Sequence, residues 1–155
     1  MGLLISILIF FGYVGFVWLR YGVQKSISDS YYRLPEKWRF VFSLFCFGFS
    51  SAIIFVHITP LLFASIVGIW FVGAAPDFIM KKEEEYFNSQ PYSHFIGAVT
   101  SILFLQLSIF FDFAWYDLNI LSIAAMGIVA LFAKNKIWWV EMVAYITLIV
   151  LILNS

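Results

Sequence analysis

Charged residues are what this sequence most lacks. Of its 155 residues, 12% are Asp, Glu, Lys or Arg, whereas 63% are hydrophobic. A water-soluble domain has about 25% charged residues, so the chain has too few polar side chains to cover a soluble surface. Its formal net charge is zero, which removes the electrostatic basis for binding nucleic acid. The composition indicates a membrane protein with no nucleic-acid partner.

Cysteine is nearly absent as well. The single cysteine, Cys46, lies in the apolar run FSLFCFGF. One cysteine forms no internal disulfide bond and offers no metal-ligand spacing, so we interpret Cys46 as a small buried side chain. The first apolar run also has no basic residues before it, and Arg20 and Lys25 follow it instead. Secretory signals have the opposite arrangement, so we expect this run to be a retained span.

Six apolar runs approach the length of a membrane span, which needs about 20 residues. Hydrocarbon offers no hydrogen-bond partner to the backbone, so we expect each run to be helical. The sequence therefore predicts a single all-α domain, a polytopic transmembrane helical bundle. The six predicted spans cover residues 3–19, 40–59, 61–75, 95–111, 114–133 and 137–153.

The second and third runs are separated only by Thr59 and Pro60. Proline lacks a backbone N–H and its ring clashes with the preceding helical turn, which costs about 3 kcal/mol in a helix interior. We therefore predict a turn between two antiparallel helices here. The third run is short, so we expect the bilayer to be thinner beside it or neighbouring helices to shield it.

The basic residues predict the orientation. With six spans, the three connections that contain Lys or Arg open on the same side, and the other side has none. The positive-inside rule makes the basic side cytoplasmic and places both termini outside, in a plasma or inner membrane. Five spans would divide the basic residues between the two sides. They are Arg20, Lys25, Arg33, Lys37 and Arg39 in the first connection (residues 20–39), then Lys81, Lys82, Lys134 and Lys136.

Several chemically reactive side chains fall at the predicted cytoplasmic ends of the spans. Ionisable residues are costly in a membrane, which makes them functional candidates. An imidazole between carboxylates can act as a general base for a serine or a water molecule. The same set could hold a metal ion, although one His with carboxylates is a weak metal signature. Helix capping is the alternative. The candidate catalytic residues are Ser28, Asp29, Asp77, His94 and Glu141.

Small residues recur four positions apart in three of the predicted spans. Such pairs let helix backbones approach closely, so we interpret them as packing positions. A homo-oligomer is compatible with them but is not indicated by them. The pairs are Gly48 and Ala52, Ala64 and Gly68, and Gly97 and Ser101.

Two motifs resemble the Frag1/DRAM/Sfk1 group of six-span membrane proteins. SISDSYYRLPE, residues 26–36, resembles the ISD…PE segment between the first two spans of that group, and HFIGAVTSILF, residues 94–104, resembles its H-x-x-G-A opening of the fourth span. The resemblance implies a six-span fold and a role in lipid handling or autophagy control. In eukaryotic members the first connection faces the lumen or exterior, in contrast to the charge pattern here. The shared positions are Ser28, Asp29, Pro35, Glu36, His94, Gly97 and Ala98.

Three functions remain open at this point. The first is a lipid-interacting membrane protein, either a hydrolase or acyl-transfer enzyme or a non-enzymatic one, with a polar site at the cytoplasmic interface. The second is a small transporter or channel, and the third is a non-catalytic scaffold or assembly factor. A lipid-sized cleft favours the first, a continuous polar tunnel the second and a sealed bundle the third. We also predict that the first connection folds back onto the fourth span and brings Ser28–Ser30 close to His94.

Overall fold

The computed structural model describes residues 2–74 and 90–155, with side chains described from residue 95 onward in the second range. All regular structure in these ranges is helical, which confirms the all-α prediction. A short 3-10 turn, Glu36–Trp38, precedes α3. The helices are α1 (Gly2–Tyr21), α2 (Ser30–Arg33), α3 (Phe40–Ile54), α4 (Pro60–Ala74), α5 (Gln90–Phe111), α6 (Tyr116–Phe132) and α7 (Lys136–Leu153).

The long helices fall on the apolar runs of the sequence, and α2 lies within the first connection. Three helical segments are long and apolar enough to cross a membrane: α1, α7 and the segment Glu36–Ile54, which contains α3. The apolar helices α4 and α6 and the apolar part of α5, Phe95–Phe111, are shorter. Membrane association through three helices of spanning length is therefore supported, and six spans stay a prediction.

The turn predicted at Thr59 and Pro60 is confirmed. α3 ends at Ile54, five residues before the end of the predicted run, and α4 begins at Pro60. Thr59 Oγ1 accepts a hydrogen bond from Leu62 N at 3.2 Å, so Thr59 caps α4. Pro60 takes the first helical position, where a missing N–H removes no intrahelical hydrogen bond.

Neighbouring helices run in opposite directions. The start of α1 lies beside the end of α3, because a Cβ on Gly2 would stand 2.7 Å from the carbonyl oxygen of Ala52. Ser43 Oγ, near the start of α3, donates to the carbonyl oxygen of Gly73, near the end of α4, at 2.8 Å. The later pairs follow the same rule, as shown by the contacts Ser65–Ser101, Gln106–Asn119, Ser122–Thr147 and Trp18–Trp139.

This alternation gathers the described basic residues at one end of the bundle, the basic end. There the first connection meets α7: Asn135 Nδ2 donates to Val23 O at 2.9 Å, and Trp138 N donates to Lys25 O at 3.0 Å. Asp112 lies at the opposite end, beside the turn that precedes α4. The described residues of the basic end are Arg20, Lys25, Arg33, Lys37, Arg39, Lys134 and Lys136.

Two glycines bring the backbones of α4 and α5 into direct contact. A Cβ on Gly68 would lie 2.6 Å from Ser101 N and 2.7 Å from Gly97 O. These are backbone atoms, so the added carbon could be accommodated only by separating the helices. Ser65 Oγ also donates to Ser101 O at 2.8 Å. The packing role predicted for Gly68, Gly97 and Ser101 is confirmed.

Aromatic rings fill the space among α1, α3 and α7. Tyr13 stacks on Phe45 with ring centroids 4.4 Å apart, and Phe10 contacts Tyr145 at 5.3 Å. Such pairs contribute about 0.5–1.5 kcal/mol beyond the burial of their area. Cys46 is fully buried in the same core, as the sequence predicted.

We expect Gly68→Ala to destabilise the protein by about 1–3 kcal/mol, the usual cost of overpacking a core. Gly127→Ala is the matched control, because a Cβ at Gly127 meets nothing within 4 Å. The midpoint of thermal unfolding in detergent micelles measures the difference. Equal midpoints for wild type and Gly68→Ala would show that α4 and α5 are not in backbone contact.

Candidate functional site

The first connection packs as part of the bundle and has a small apolar core of its own. Ile27, Tyr31 and Leu34 are all buried. Their spacing of four and then three residues is that of one helical face, a signal that the sequence analysis overlooked.

Hydrogen bonds fix this segment against α1. Ser30 is fully buried, and its Oγ donates to Ile27 O at 2.5 Å. Tyr13 Oη lies 2.6 Å from Ser30 Oγ. Since the hydroxyl proton of Ser30 is already used, Tyr13 is the donor. The segment is thereby joined to the middle of α1.

The first connection also docks on the start of α7 with its backbone. Ile27 N donates to Glu141 Oε2 at 2.5 Å, and Trp138 N donates to Lys25 O at 3.0 Å. Trp138 is in the first turn of α7, where backbone N–H groups have no partner inside the helix. The connection therefore caps α7 and holds the Glu141 side chain in place.

A cleft lies between α5 and α7, below Ile27 and Ser28. The cavity itself is about 40 Å³, and it lies within about 500 Å³ of space that includes the open surroundings. In each helix the lining residues lie three, four and seven positions after the first one, so each helix turns one face to the cleft. The described lining residues are Ala98, Ser101, Ile102 and Leu105 from α5, Glu141, Ala144, Tyr145 and Leu148 from α7, Phe42 from α3, and Ile69 and Val72 from α4.

Polarity is uneven along this cleft. Glu141 and Ser28 lie at the end nearest the first connection, while Leu105 and Leu148 line it deeper in the bundle. The distance from Glu141 to Leu148 along α7 is about 10 Å at 1.5 Å per residue. The cleft thus has one polar end and an apolar length, which is the shape of an amphiphilic ligand.

Of the candidate catalytic residues, the structure brings Ser28 and Glu141 to the same cleft. Asp29 is turned toward Arg33, whose Nε lies 3.9 Å from Asp29 Oδ2. Ser28 Oγ lies 2.9 Å from Ser26 Oγ. Adjacent residues of the first connection therefore face different surroundings.

Two candidate residues fall outside the described side chains. Asp77 lies outside the described residues, and His94 belongs to α5 while its side chain is not among those described. Ala98, one turn later in α5, lines the cleft together with Ser28. The approach of Ser28–Ser30 to His94 stays a prediction.

Metal binding has no support in the described part of the chain, where no group of three or more His, Cys, Asp or Glu side chains could hold an ion. The polar residues at mid-depth pair with one another. Gln106 Nε2 donates to Ser122 Oγ at 3.0 Å, Thr147 Oγ1 donates to the same oxygen at 3.0 Å, and Asn119 Nδ2 donates to Gln106 Oε1 at 3.0 Å. These bonds join α5, α6 and α7, as polar residues in membrane bundles commonly do.

No protein-family model matches the chain, and neither a characterised protein nor a solved structure is significantly similar to it. The resemblance to the Frag1/DRAM/Sfk1 group stays an expectation that rests on two short motifs. Each motif places a residue in the cleft lining, Ser28 from the first and Ala98 from the second.

We expect Tyr13→Phe to loosen the first connection, because it removes the donor to the buried Ser30 hydroxyl. A typical hydrogen bond contributes about 0.5–1.5 kcal/mol, and we expect a loss of that size. Hydrogen exchange of the amides in residues 22–36 should become faster. Tyr32→Phe is the control, because the Tyr32 side chain is 58% exposed. Unchanged exchange in Tyr13→Phe would contradict this role of Tyr13.

Proposed function

We propose that this chain is an integral membrane protein that holds a membrane lipid in the cleft between α5 and α7. The observation that carries the proposal is the uneven polarity of the cleft, with apolar walls and a carboxylate, Glu141, at one end. Small-molecule sites are usually mostly apolar, with a few placed polar groups. In this proposal a hydrocarbon chain lies along the apolar length, and a polar headgroup lies at the Glu141 end.

The other two functions have less support. A pore needs polar groups along a continuous path, whereas Gln106, Ser122 and Thr147 bond to one another across helices. A packed, sealed bundle would favour a scaffold, whereas this bundle contains a cleft. The proposal concerns binding of the lipid.

We further propose six spans, with the basic end in the cytoplasm and both termini outside. The alternating helices and the one-sided basic residues support this topology. α4 has 15 residues and α6 has 17, which correspond to about 22 and 26 Å at 1.5 Å per residue. Both are shorter than a hydrocarbon core of about 30 Å, so we expect the bilayer to be thinner beside them.

The orientation is tested by labelling single cysteines with an impermeant maleimide in intact cells, in a Cys46→Ala background. We expect Ser155→Cys to react from outside and Lys134→Cys to react only after permeabilisation. Labelling of Lys134→Cys in intact cells would overturn the orientation.

Filling the cleft tests lipid binding. Ala144 is 8% exposed and lines the cleft, so we expect Ala144→Phe to reduce bound lipid. Overpacking of about 1–3 kcal/mol corresponds to at least about fivefold weaker retention. Ala124→Phe, at an exposed position of α6, is the control. Native mass spectrometry of the purified protein measures the bound lipid.

Ala98→Phe places the same bulk in the cleft from α5 and serves as a second variant if Ala144→Phe does not fold. Undiminished lipid in a folded cleft variant would overturn the proposed function.

A further inference from the structure

The polar end of the cleft presents a hydrogen-bond acceptor. An ionised carboxylate only accepts hydrogen bonds, through two oxygens. Ile27 N occupies Glu141 Oε2, while Oε1 has no donor among the described residues. A ligand can therefore donate a hydrogen bond to Glu141 Oε1.

The described residues that line the cleft supply no positive charge. Apart from Glu141, the polar residues in the described lining are Ser28, Ser101 and Tyr145, and none of them is basic. A carboxyl group in apolar surroundings ionises only where a paired or hydrogen-bonded partner stabilises its charge. A ligand group that donates to Glu141 supplies such a partner.

We propose that the cleft selects an amphiphile with one hydrocarbon chain and a hydrogen-bond-donating head, either an amine or a hydroxyl. This inference rests on the proposed function, that the cleft holds a lipid. The head donates to Glu141 Oε1, and the chain lies along Ala144, Leu148 and Leu105. A carboxylate head is disfavoured because it supplies no donor to Glu141 and places a second acceptor against it.

Glu141→Gln is the most direct variant, because it preserves the size of the side chain. The amide oxygen can accept from Ile27 N, and this orientation turns the amide NH₂ group toward the cleft. The variant thus replaces the acceptor at the polar end with a donor. We expect the preference for the headgroup to change in favour of acceptors.

The experiment is a competition among decylamine, decanol and decanoate at equal concentration. The full-length protein is held in lipid nanodiscs, and the retained amphiphile is measured by mass spectrometry. We expect the wild type to retain the amine and the alcohol over decanoate by about tenfold or more, the size of a charge-assisted hydrogen bond. In Glu141→Gln this ratio should fall by at least about tenfold.

Two comparisons remove other causes. Wild type and variant meet the same mixture in the same bilayer, so partitioning of the amphiphiles into lipid cancels. Glu36→Gln makes the same chemical change at an exposed position of the first connection and should leave the ratio at its wild-type value. The amine and alcohol arms separate an ammonium head from a hydroxyl head.

The outcomes distinguish this inference from the proposed function. If the wild type retains none of the three amphiphiles, lipid binding in the cleft is wrong. If all three are retained in the same ratio by wild type and Glu141→Gln, lipid binding stands and the selection of a donating head is wrong. A wild-type preference for decanoate also overturns the proposed selection of a donating head. This result needs the wild type alone, so it holds even if Glu141→Gln fails to fold.

Discussion

The hydrogen bond from Ile27 N to Glu141 Oε2 holds the first connection against α7. A carboxylate within an apolar helix costs about 2.5–3.5 kcal/mol at the centre of a bilayer and less toward its surface. A hydrogen bond to a charged group contributes about 1.5–3 kcal/mol, which is of similar size. The same bond satisfies a backbone N–H of a connection that is packed against helices. The Ile27 N–H and the Glu141 carboxyl group therefore satisfy each other's hydrogen bonding, and together they form the polar end of the cleft.

The cleft exists because α5 is held from other directions. On one side the backbones of α4 and α5 touch at Gly68 and Gly97. On the other, α6 buries Asn119 and Ser122, and these polar residues bond to Gln106 of α5. Packing in a bilayer depends on such close contacts and polar bonds, because lipid is as apolar as the helices themselves. Between these contacts the inner face of α5 lies across the cleft from Ala144, Tyr145 and Leu148 of α7.

Much of the fold follows from local sequence. The apolar runs predict the long helices within a few residues, and Pro60 marks the start of α4 because its ring and missing N–H act on the adjacent turn alone. The end of α3 was placed five residues too late, since residues 55–59 are as apolar as a helix while they form the turn. The buried face Ile27, Tyr31 and Leu34 was missed because its three apolar residues are dispersed among polar ones.

The sequence by itself determined the membrane class, the helical fold and the gathering of basic residues, because these depend on composition and on neighbours along the chain. The tertiary structure decided which polar residues meet. Ser28 and Asp29 are adjacent, yet Ser28 lines the cleft with Glu141 while Asp29 turns to Arg33. The contact between Ile27 and Glu141 spans 114 positions. It forms because antiparallel packing brings the end of α1 beside the start of α7. The distance between side chains on two packed helices depends on that packing, so it cannot be predicted from neighbouring residues in the sequence.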